Sequence, residues 1–472
     1  MNSQRIIMPS RRKFLKSAGA AALGSTLAYG GPTALTSHAA DVSGYKALVC
    51  IFLLGGLDNY DLLIPYDQSS YDSFALKRQE LYEQPGSNRD RGQLLPLNPA
   101  NAADFGTRQF ALPPEMSQLA SLFGSGEAAI IGNVGPLIEP TNRQSFLDQS
   151  VLLPPRLFSH NDQQATWQAI APEGAQLGWG GLFGDAVLNS GANSGGPEFT
   201  TIASSNVGAF LTGNLASPYQ ITLEGSPRVQ FLNSFLDGEN DPEFDDFFRA
   251  VQSQLSAEGF NSDRILERDY TSKVQRSATA NARYDEALNG AFAFNTAFGA
   301  DPLGAQLEAV ARTISIRSGL FASRQIFFVG LGGFDTHSDQ MTDLPGLLQI
   351  IDNGLSSFHQ AMGELGLQDS VTTFTASDFG RTLAINGDGT DHGWGANHIA
   401  VGGAVNGNRI YGDVPLAEFE TDTDSGSGRL IPTTAVEEFA APLGRWFGLS
   451  EDEIAAALPG LSNFSGAPLA FI

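Results

Sequence analysis

Acidic and imidazole side chains follow three apolar segments of this sequence, two of which stop at Gly-Gly. The side chains presented in this way, or in the glycine-rich GTDHGWGANH segment that follows the third, are Asp58, Asp335, His337, Asp378, Asp391, His392 and His398. Apolar runs of this kind are typical of strands buried on both faces, and open α/β sheets bind ligands beyond the carboxyl ends of such strands. Carboxylates with imidazoles suit Zn²⁺, whereas carboxylates alone suit Mg²⁺, Mn²⁺ or Ca²⁺. The pattern therefore predicts a metal site.

Apolar runs and helix signals alternate along the chain and predict the elements that position this site. Strands are predicted over 45–54, 128–134, 325–331, 371–376 and 399–405, and helices over 71–82, 307–317, 344–365, 436–446 and 451–458. This alternation favours an α/β fold, with a doubly wound, mostly parallel sheet and helices on both faces. We expect one domain over 41–472, with irregular insertions near 67–113, on the surface, and near 174–240, shaping a substrate cleft.

The amino terminus resembles an export signal. SRRKFLK (10–16) is a twin-arginine motif, followed by a small-residue apolar stretch and by Ser37-His38-Ala39, which is typical of a cleavage site. We therefore assign residues 1–40 to a twin-arginine signal peptide. We expect no membrane span, because no segment approaches about 20 consecutive apolar residues. The mature protein is expected in the periplasm or secreted.

The chain is strongly acidic, with a formal charge of −24. Loss of the signal, which has five basic residues and no acid, would change this charge to −29. Such a surface disfavours nucleic acid and anionic membranes as partners and attracts cations. Cys50 is the single cysteine, so no intrachain disulfide can form.

Five motifs together resemble a known family. They are GGLD (55–58), LFSHNDQQATWQ (157–168), GGFDTH (332–337), SDFGRT (377–382) and GTDHGWG (389–395). Through them the chain resembles the exported domain-of-unknown-function 1501 family, within the alkaline phosphatase and sulfatase superfamily. The resemblance implies an alkaline phosphatase-like fold, one or two divalent metal ions, with Zn²⁺ preferred, and a small-molecule or polysaccharide ester as substrate.

The resemblance also implies roles for single residues. Asp58 and Asp378 would hold one metal, and Asp335, His337 and His392 the other. Ser159 would be the nucleophile or only a helix N-cap, with Thr141 and Thr166 as weaker alternatives. Arg381 would bind the anionic group of the substrate or pair with a nearby acid, and His160 would be a ligand or orient Ser159. Asp391 would be a ligand or fix a histidine tautomer, and His398 an extra ligand or a hydrogen-bonded core histidine.

Two departures from the superfamily pattern bear on function. Phe379 follows Asp378 where a phosphatase of this type often has histidine. Neither Ser159, which continues as His-Asn-Asp-Gln, nor Cys50, which continues as Ile-Phe-Leu, stands in the Cys/Ser-x-Pro-x-Arg context required for formylglycine, which disfavours such a sulfatase. We therefore expect an exported metal-dependent hydrolase of phosphate esters, less readily of sulfate esters. The alternative is a catalytically silent exported protein that binds a metal or a polysaccharide.

Overall fold

The computed structural model describes residues 39–205, 208–227 and 263–472. Nearly all of the expected signal peptide lies outside these ranges, so the twin-arginine assignment stays a prediction. The end of the expected insertion near 174–240 lies outside them too. Elements below are numbered within the described residues.

A large mixed sheet forms the centre of the molecule. The strands are β1 (Lys46–Leu53), β2 (Ile64–Pro65), β3 (Leu95–Pro96), β4 (Phe110–Leu112), β5 (Ala128–Gly135), β6 (Thr201–Ala203), β7 (Tyr219–Gln220), β8 (Arg324–Leu331), β9 (Val371–Ser377), β10 (Arg381–Asn386), β11 (Gly389–His392), β12 (Ala396–Val401), β13 (Arg409–Gly412) and β14 (Thr434–Ala435). The order across the large sheet is β13-β5-β12-β9-β1-β8-β6-β7, with β14 also paired to β5. In this large sheet β12 runs antiparallel to β5 and β9, and the other pairings are parallel. This agrees with the predicted mostly parallel α/β sheet. Two small antiparallel sheets lie apart from the large sheet, one of β10 and β11 and the other of β2, β4 and β3.

Helices cover both faces of this sheet. They are α1 (Asn59–Leu62), α2 (Gln68–Lys77), α3 (Gln79–Tyr82), α4 (Ser117–Ser125), α5 (Arg143–Asp148), α6 (His160–Ala169), α7 (Trp179–Asn189), α8 (Ile265–Leu288), α9 (Pro302–Ser315), α10 (Gln340–Glu364), α11 (Val436–Phe447) and α12 (Glu451–Ala457). Among the described residues, none of these helices combines the length and apolarity needed to cross a membrane.

Alternate side chains of β1 enter two separate hydrophobic cores. Val49 and Ile51 pack on one face with residues of α9 and α10, whereas Leu48 and Cys50 pack on the other with residues of α7 and α11. Successive side chains of a strand point to opposite faces, so a strand apolar throughout must be covered on both. This explains the continuous apolar run that the sequence shows.

The two expected insertions are more deeply integrated than their composition suggests. Segment 67–113 was expected on the surface, but its Arg78 and Arg89 side chains are fully buried, so that expectation is wrong for these residues. Helix α7 and strand β6 fall within 174–240, yet α7 packs in the core and β6 pairs with β8. Buried ion pairs and core aromatics hold these parts against the domain.

Candidate metal centre

The registers of β1, β8 and β9 bring their carboxyl ends to one edge of the sheet. Leu53 is level with Leu331 of β8 and with Ser377 of β9. The segments that continue from β8 and β9 carry Asp335 and Asp378 to that edge. Gly55 permits the close approach, because its φ is +116° and a Cβ there would lie 2.4 Å from the backbone nitrogen of Asp335.

Three imidazoles and one carboxylate converge at this edge. His392 Nε2 lies 3.1 Å from His160 Nε2 and 2.8 Å from His337 Nε2. Asp335 Oδ1 lies 3.1 Å from the Nε2 atoms of both His337 and His392, and Asp335 Oδ2 lies 3.4 Å from His160 Nε2. The predicted ligands Asp335, His337 and His392 are therefore brought together, and His160 joins them.

The other ring nitrogen of each imidazole faces an acceptor. His160 Nδ1 lies 2.7 Å from Asp378 Oδ2, and His392 Nδ1 lies 2.8 Å from the carbonyl oxygen of Phe158. His337 Nδ1 lies 3.5 Å from Asp391 Oδ1. An acceptor at Nδ1 favours the tautomer with its proton there, which leaves the Nε2 lone pair free for a metal.

The convergence of these lone pairs calls for a cation between them. Nε2 lone pairs held this close to one another and to a carboxylate repel unless a proton or a metal ion lies between them. The ligands of a tetrahedral Zn²⁺ with bonds of 2.0–2.1 Å lie about 3.3 Å from one another. Five separations of 2.8–3.4 Å link these side chains and are close to this value, and the group in which every member is near every other is His160, Asp335 and His392. The donor set therefore fits a zinc-like divalent ion.

The surroundings of His160, His392 and Asp335 shift the pKa values of these side chains. The hydrogen bond to Asp378 raises the pKa of His160 above its usual value, against the opposing effect of partial burial. Partial burial lowers the pKa of His392. Desolvation acts to raise the pKa of Asp335, but the Arg381 hydrogen bond and the nearby His160 outweigh it, so the net pKa is lowered. Asp335 is thus held as a carboxylate, the form that binds a cation.

Phe379 forms an apolar wall against two of the imidazoles. Its ring centroid lies 4.8 Å from that of His160 and 4.7 Å from that of His392. The adjacent Gly56 has a φ of +95°, and a Cβ there would lie 2.4 Å from the Phe379 ring. Glycine at this position therefore lets the aromatic ring pack against the histidines.

Arg381 supports the cluster from inside the protein. Its buried guanidinium donates to Asp335 Oδ1 at 2.9 Å and to the Gly55 carbonyl oxygen at 3.2 Å, and it also bonds Thr390. This arrangement matches the alternative in which Arg381 pairs with a nearby acid. Its contacts place it behind Asp335, where it can orient that carboxylate.

Three predicted ligands have other surroundings. Asp58 is buried in an ion pair with Arg78. Asp378 lies outside the clustered side chains and accepts a hydrogen bond from His160 Nδ1. His398 is buried against the rings of Trp167 and Phe439, and burial lowers its pKa to about 3. His398 therefore lies in the core, where Nδ1 is 3.4 Å from Thr375 Oγ1 but Nε2 has no hydrogen-bond partner in the described part of the chain.

Ser159 precedes helix α6 but does not cap it with its side chain. Its hydroxyl instead donates to Asp162 Oδ2 at 2.8 Å. The hydroxyls of Thr141 and Thr166 donate to the carbonyl oxygens of Glu139 and Asp162. Ser159, unlike these two, combines a carboxylate partner with a position next to a cluster histidine.

The sequence reasoning missed several residues that support the site. Asp162, Gln164, Arg78 and the carbonyl group of Phe158 all contact predicted site residues. The pattern Ser159-x-x-Asp162 was visible, but it is also that of an ordinary helix start. Arg78 gave no signal, because twenty residues separate it from Asp58.

The sequence matches the family model described as "Protein of unknown function (DUF1501)" over residues 45–458. The chain belongs to this DUF1501 family. The five motifs of the resemblance lie within the matched range. No curated protein is significantly similar to the DUF1501 chain in sequence.

Two solved structures illustrate its structural similarities. One is the C-terminal periplasmic domain of EcEptC from Escherichia coli in complex with Zn, with 9% identity and a TM-score of 0.33, covering 88% of this chain and 85% of that chain. The other is Ps i-CgsB in complex with k-i-k-neocarrahexaose, with 9% identity and a TM-score of 0.32, covering 89% of this chain and 77% of that chain. TM-scores this low define neither fold nor function for the DUF1501 chain.

Proposed function

We propose that this DUF1501 protein is an exported metal-dependent hydrolase of phosphate esters, with sulfate esters as less favoured substrates. The observation that carries the proposal is the convergence of three imidazole Nε2 atoms and the Asp335 carboxylate at the sheet edge. The centre is open to solvent, since the Asp335 and His337 side chains are 46% and 43% exposed. An accessible centre of this kind suits a substrate.

His160, His337, His392 and Asp335 would hold the ion. When bound there, a divalent ion would supply Lewis-acid stabilisation of charge on the oxygens of the transferring group. Asp378, the Phe158 carbonyl group and Asp391 orient the imidazoles, and partners of this kind raise ligand basicity. Arg381 holds Asp335 in place.

The nucleophile of the proposed reaction is Ser159, with Asp162 as its general base. The Ser159 hydroxyl is within hydrogen-bond reach of the Asp162 carboxylate, which is the geometry that proton abstraction requires. The backbone N–H of Ser159 donates to the Arg156 carbonyl oxygen, and the Ser159 side chain makes no capping hydrogen bond. Neither hydrogen bond of a capping box is therefore formed. A nucleophile–base pair accounts for the hydroxyl–carboxylate contact.

The proposed reaction has two steps. Ser159 Oγ forms a bond to phosphorus while the ester P–O bond breaks, the hydroxyl proton passes to Asp162, and the leaving alkoxide takes a proton from solvent. Water then forms a bond to phosphorus while the Ser159 Oγ–P bond breaks. One water proton passes to solvent, and Ser159 Oγ regains its proton from Asp162.

Two arginines near Ser159 and His392 favour an anionic substrate. The Arg156 side chain is 72% exposed and lies in the turn that leads to Ser159. Arg429 donates from Nε to the His392 carbonyl oxygen at 2.8 Å and packs over the Phe158 ring. Arg156 Nη1 also lies 3.8 Å from Asp162 Oδ1 and 3.4 Å from Glu173 Oε2, so a bound phosphate or sulfate group would compete with these carboxylates for its charge.

The remaining expectations belong to the same proposal. An alkaline phosphatase-like fold is supported by the mostly parallel sheet and by a site at the carboxyl ends of its strands. Twin-arginine export rests on SRRKFLK at 10–16. The insertion segments, 67–113 and 174–240, are candidates for contacts with a small-molecule or polysaccharide ester.

The test is an assay of the zinc-loaded mature protein on p-nitrophenyl phosphate, bis(p-nitrophenyl) phosphate and p-nitrophenyl sulfate. We expect phosphate ester hydrolysis that Ser159→Ala lowers by at least about 1000-fold and Asp162→Asn by about 100-fold or more. Metal content should be unchanged in both variants, because neither residue is a proposed ligand. Equal rates in wild type and Ser159→Ala would contradict the assigned nucleophile.

A catalytically silent metal-binding protein is the second candidate. Four protein side chains can fill a tetrahedral shell, as in structural zinc sites, whereas catalytic sites usually keep one position open. A protein that holds zinc but hydrolyses none of the three substrates would favour this candidate.

A further inference from the structure

Asp58 has no free carboxylate oxygen. Arg78 approaches both oxygens, with Nη1 2.5 Å from Oδ2 and Nη2 3.2 Å from Oδ1. Gln340 Nε2 donates to Oδ2 at 2.6 Å, and the Tyr60 backbone N–H donates to Oδ1 at 3.0 Å. Four donors thus occupy the carboxylate that the resemblance assigned to a metal.

The cation that neutralises Asp58 belongs to the chain itself. The Arg78 guanidinium is fully buried, lies over the rings of Tyr60 and Phe74, and also donates to the Thr382 carbonyl oxygen. A metal on Asp58 would have to displace this guanidinium and leave a buried charge unpaired, which is strongly unfavourable.

Neighbouring groups also fail to complete a second ligand set. Asp378 Oδ2 accepts from Gln164 Nε2 and the Gly55 backbone N–H besides its contact with His160. The next residue, Phe379, presents an apolar ring. Across the described ranges, the tightly grouped set of three possible ligands is His160, Asp335 and His392. Within the same ranges, His337 lies outside this set but contacts two of its members, Asp335 and His392, whereas Asp58 contacts none of them. Asp378 Oδ1 is buried and has no hydrogen-bond partner among the described residues, but a single oxygen atom does not make a cation site.

We propose that the DUF1501 chain binds a single metal ion and that Arg78 takes the place of a second cation at Asp58. This inference rests on the metal centre of the proposed function and fixes its stoichiometry. Charge stabilisation of the substrate then comes from one ion together with side chains, instead of from a pair of ions. The buried Arg78–Asp58 pair is neutral overall, so Asp58 needs no metal ion to balance its charge.

The experiment measures zinc bound to the mature protein by elemental and native mass spectrometry, after equilibration with excess Zn²⁺ and removal of free ion. We expect one equivalent in the wild type and less than about 0.1 equivalent in Asp335→Ala, which removes a proposed ligand. The variant Arg78→Met/Asp58→Asn removes both charges of the buried pair together, so it avoids leaving either one unpaired. Circular dichroism establishes that it is folded, and it should retain one equivalent.

Two equivalents in the wild type would overturn the inference, as would loss of zinc from the folded Arg78→Met/Asp58→Asn protein. No zinc in the wild type would overturn the proposed metal centre as well. Failure of the hydrolase assay with one equivalent bound would count against the reaction and leave the single-metal inference supported.

Discussion

His160 Nδ1 lies 2.7 Å from Asp378 Oδ2, and this contact links a strand end to the helix that carries a proposed metal ligand. Asp378 follows β9, and His160 is the first residue of α6. The buried carboxylate fixes the ring so that Nε2 faces Asp335 and His392. Asp378 therefore acts on the metal centre through His160.

Asp378→Asn should weaken zinc binding by about 10- to 100-fold, because the imidazole loses its charged acceptor. Competition with a chromophoric chelator at fixed pH measures the change. Asp391→Asn is the matched control, and its effect should be smaller because Asp391 is 3.5 Å from His337 Nδ1 and exposed. Equal affinities of Asp378→Asn and wild type would refute this role.

Gly56→Ala should lower both stability and zinc affinity, because its Cβ would meet the Phe379 ring that packs on His160 and His392. Gly44→Ala is the control, since Gly44 also has a positive φ but no atom within 4 Å of an added Cβ. We expect backbone strain to lower the free energy of unfolding by about 1 kcal/mol in each variant. Gly56→Ala should lose more than this because of its contact with Phe379, and only Gly56→Ala should lose zinc affinity. Urea unfolding and chelator competition give the two quantities. Unchanged zinc affinity in Gly56→Ala would show that the Phe379 ring does not position the histidines.

Arg78→Met should destabilise the protein by about 3–5 kcal/mol, because it leaves the buried Asp58 carboxylate without its cation. Arg78→Met/Asp58→Asn should recover much of this loss. Urea unfolding of the metal-free proteins at pH 7.5 compares the free energies of unfolding. A double variant as unstable as the sum of two single variants would show that the two charges are not coupled.

Acid should destabilise the protein partly through His398, whose buried imidazole has a pKa of about 3 against 6.5 ordinarily. The folded state keeps this ring neutral, whereas the unfolded state binds a proton below pH 6.5. The stabilisation that neutral His398 gives the folded state is therefore complete above pH 6.5 and decreases as pH falls towards 3. At pH 5 the free energy of unfolding is lower by about 2 kcal/mol for this reason.

His398→Gln should remove that loss, so the difference in free energy of unfolding between pH 7.5 and pH 5 should be smaller in this variant. Urea unfolding of both metal-free proteins at the two pH values measures it. An identical pH dependence in variant and wild type would indicate that His398 binds its proton equally well in the folded and unfolded states.

Local pattern was sufficient to predict the strands that carry Asp335 and Asp378, because strands buried on both faces must be apolar throughout. The predicted strands over 128–134, 325–331 and 371–376 agree within one residue with β5, β8 and β9. The same logic predicted that carboxylates would follow these strands at one edge. Composition misled in segment 67–113, where irregular sequence favours the surface, since Arg78 of that segment is buried in an ion pair.

By itself, the amino-acid sequence determined the alternation of strands and helices, the family, and the set of side chains able to bind a metal. Only the tertiary structure decided which of them meet. Asp58, Asp378 and His398 carry the same local signal as Asp335 and His392, but their partners come from distant segments. Arg78 neutralises Asp58, His160 contacts Asp378, and Trp167 packs on His398. Whether a carboxylate or imidazole is free for a metal depends on such long-range contacts, which local sequence spacing does not encode.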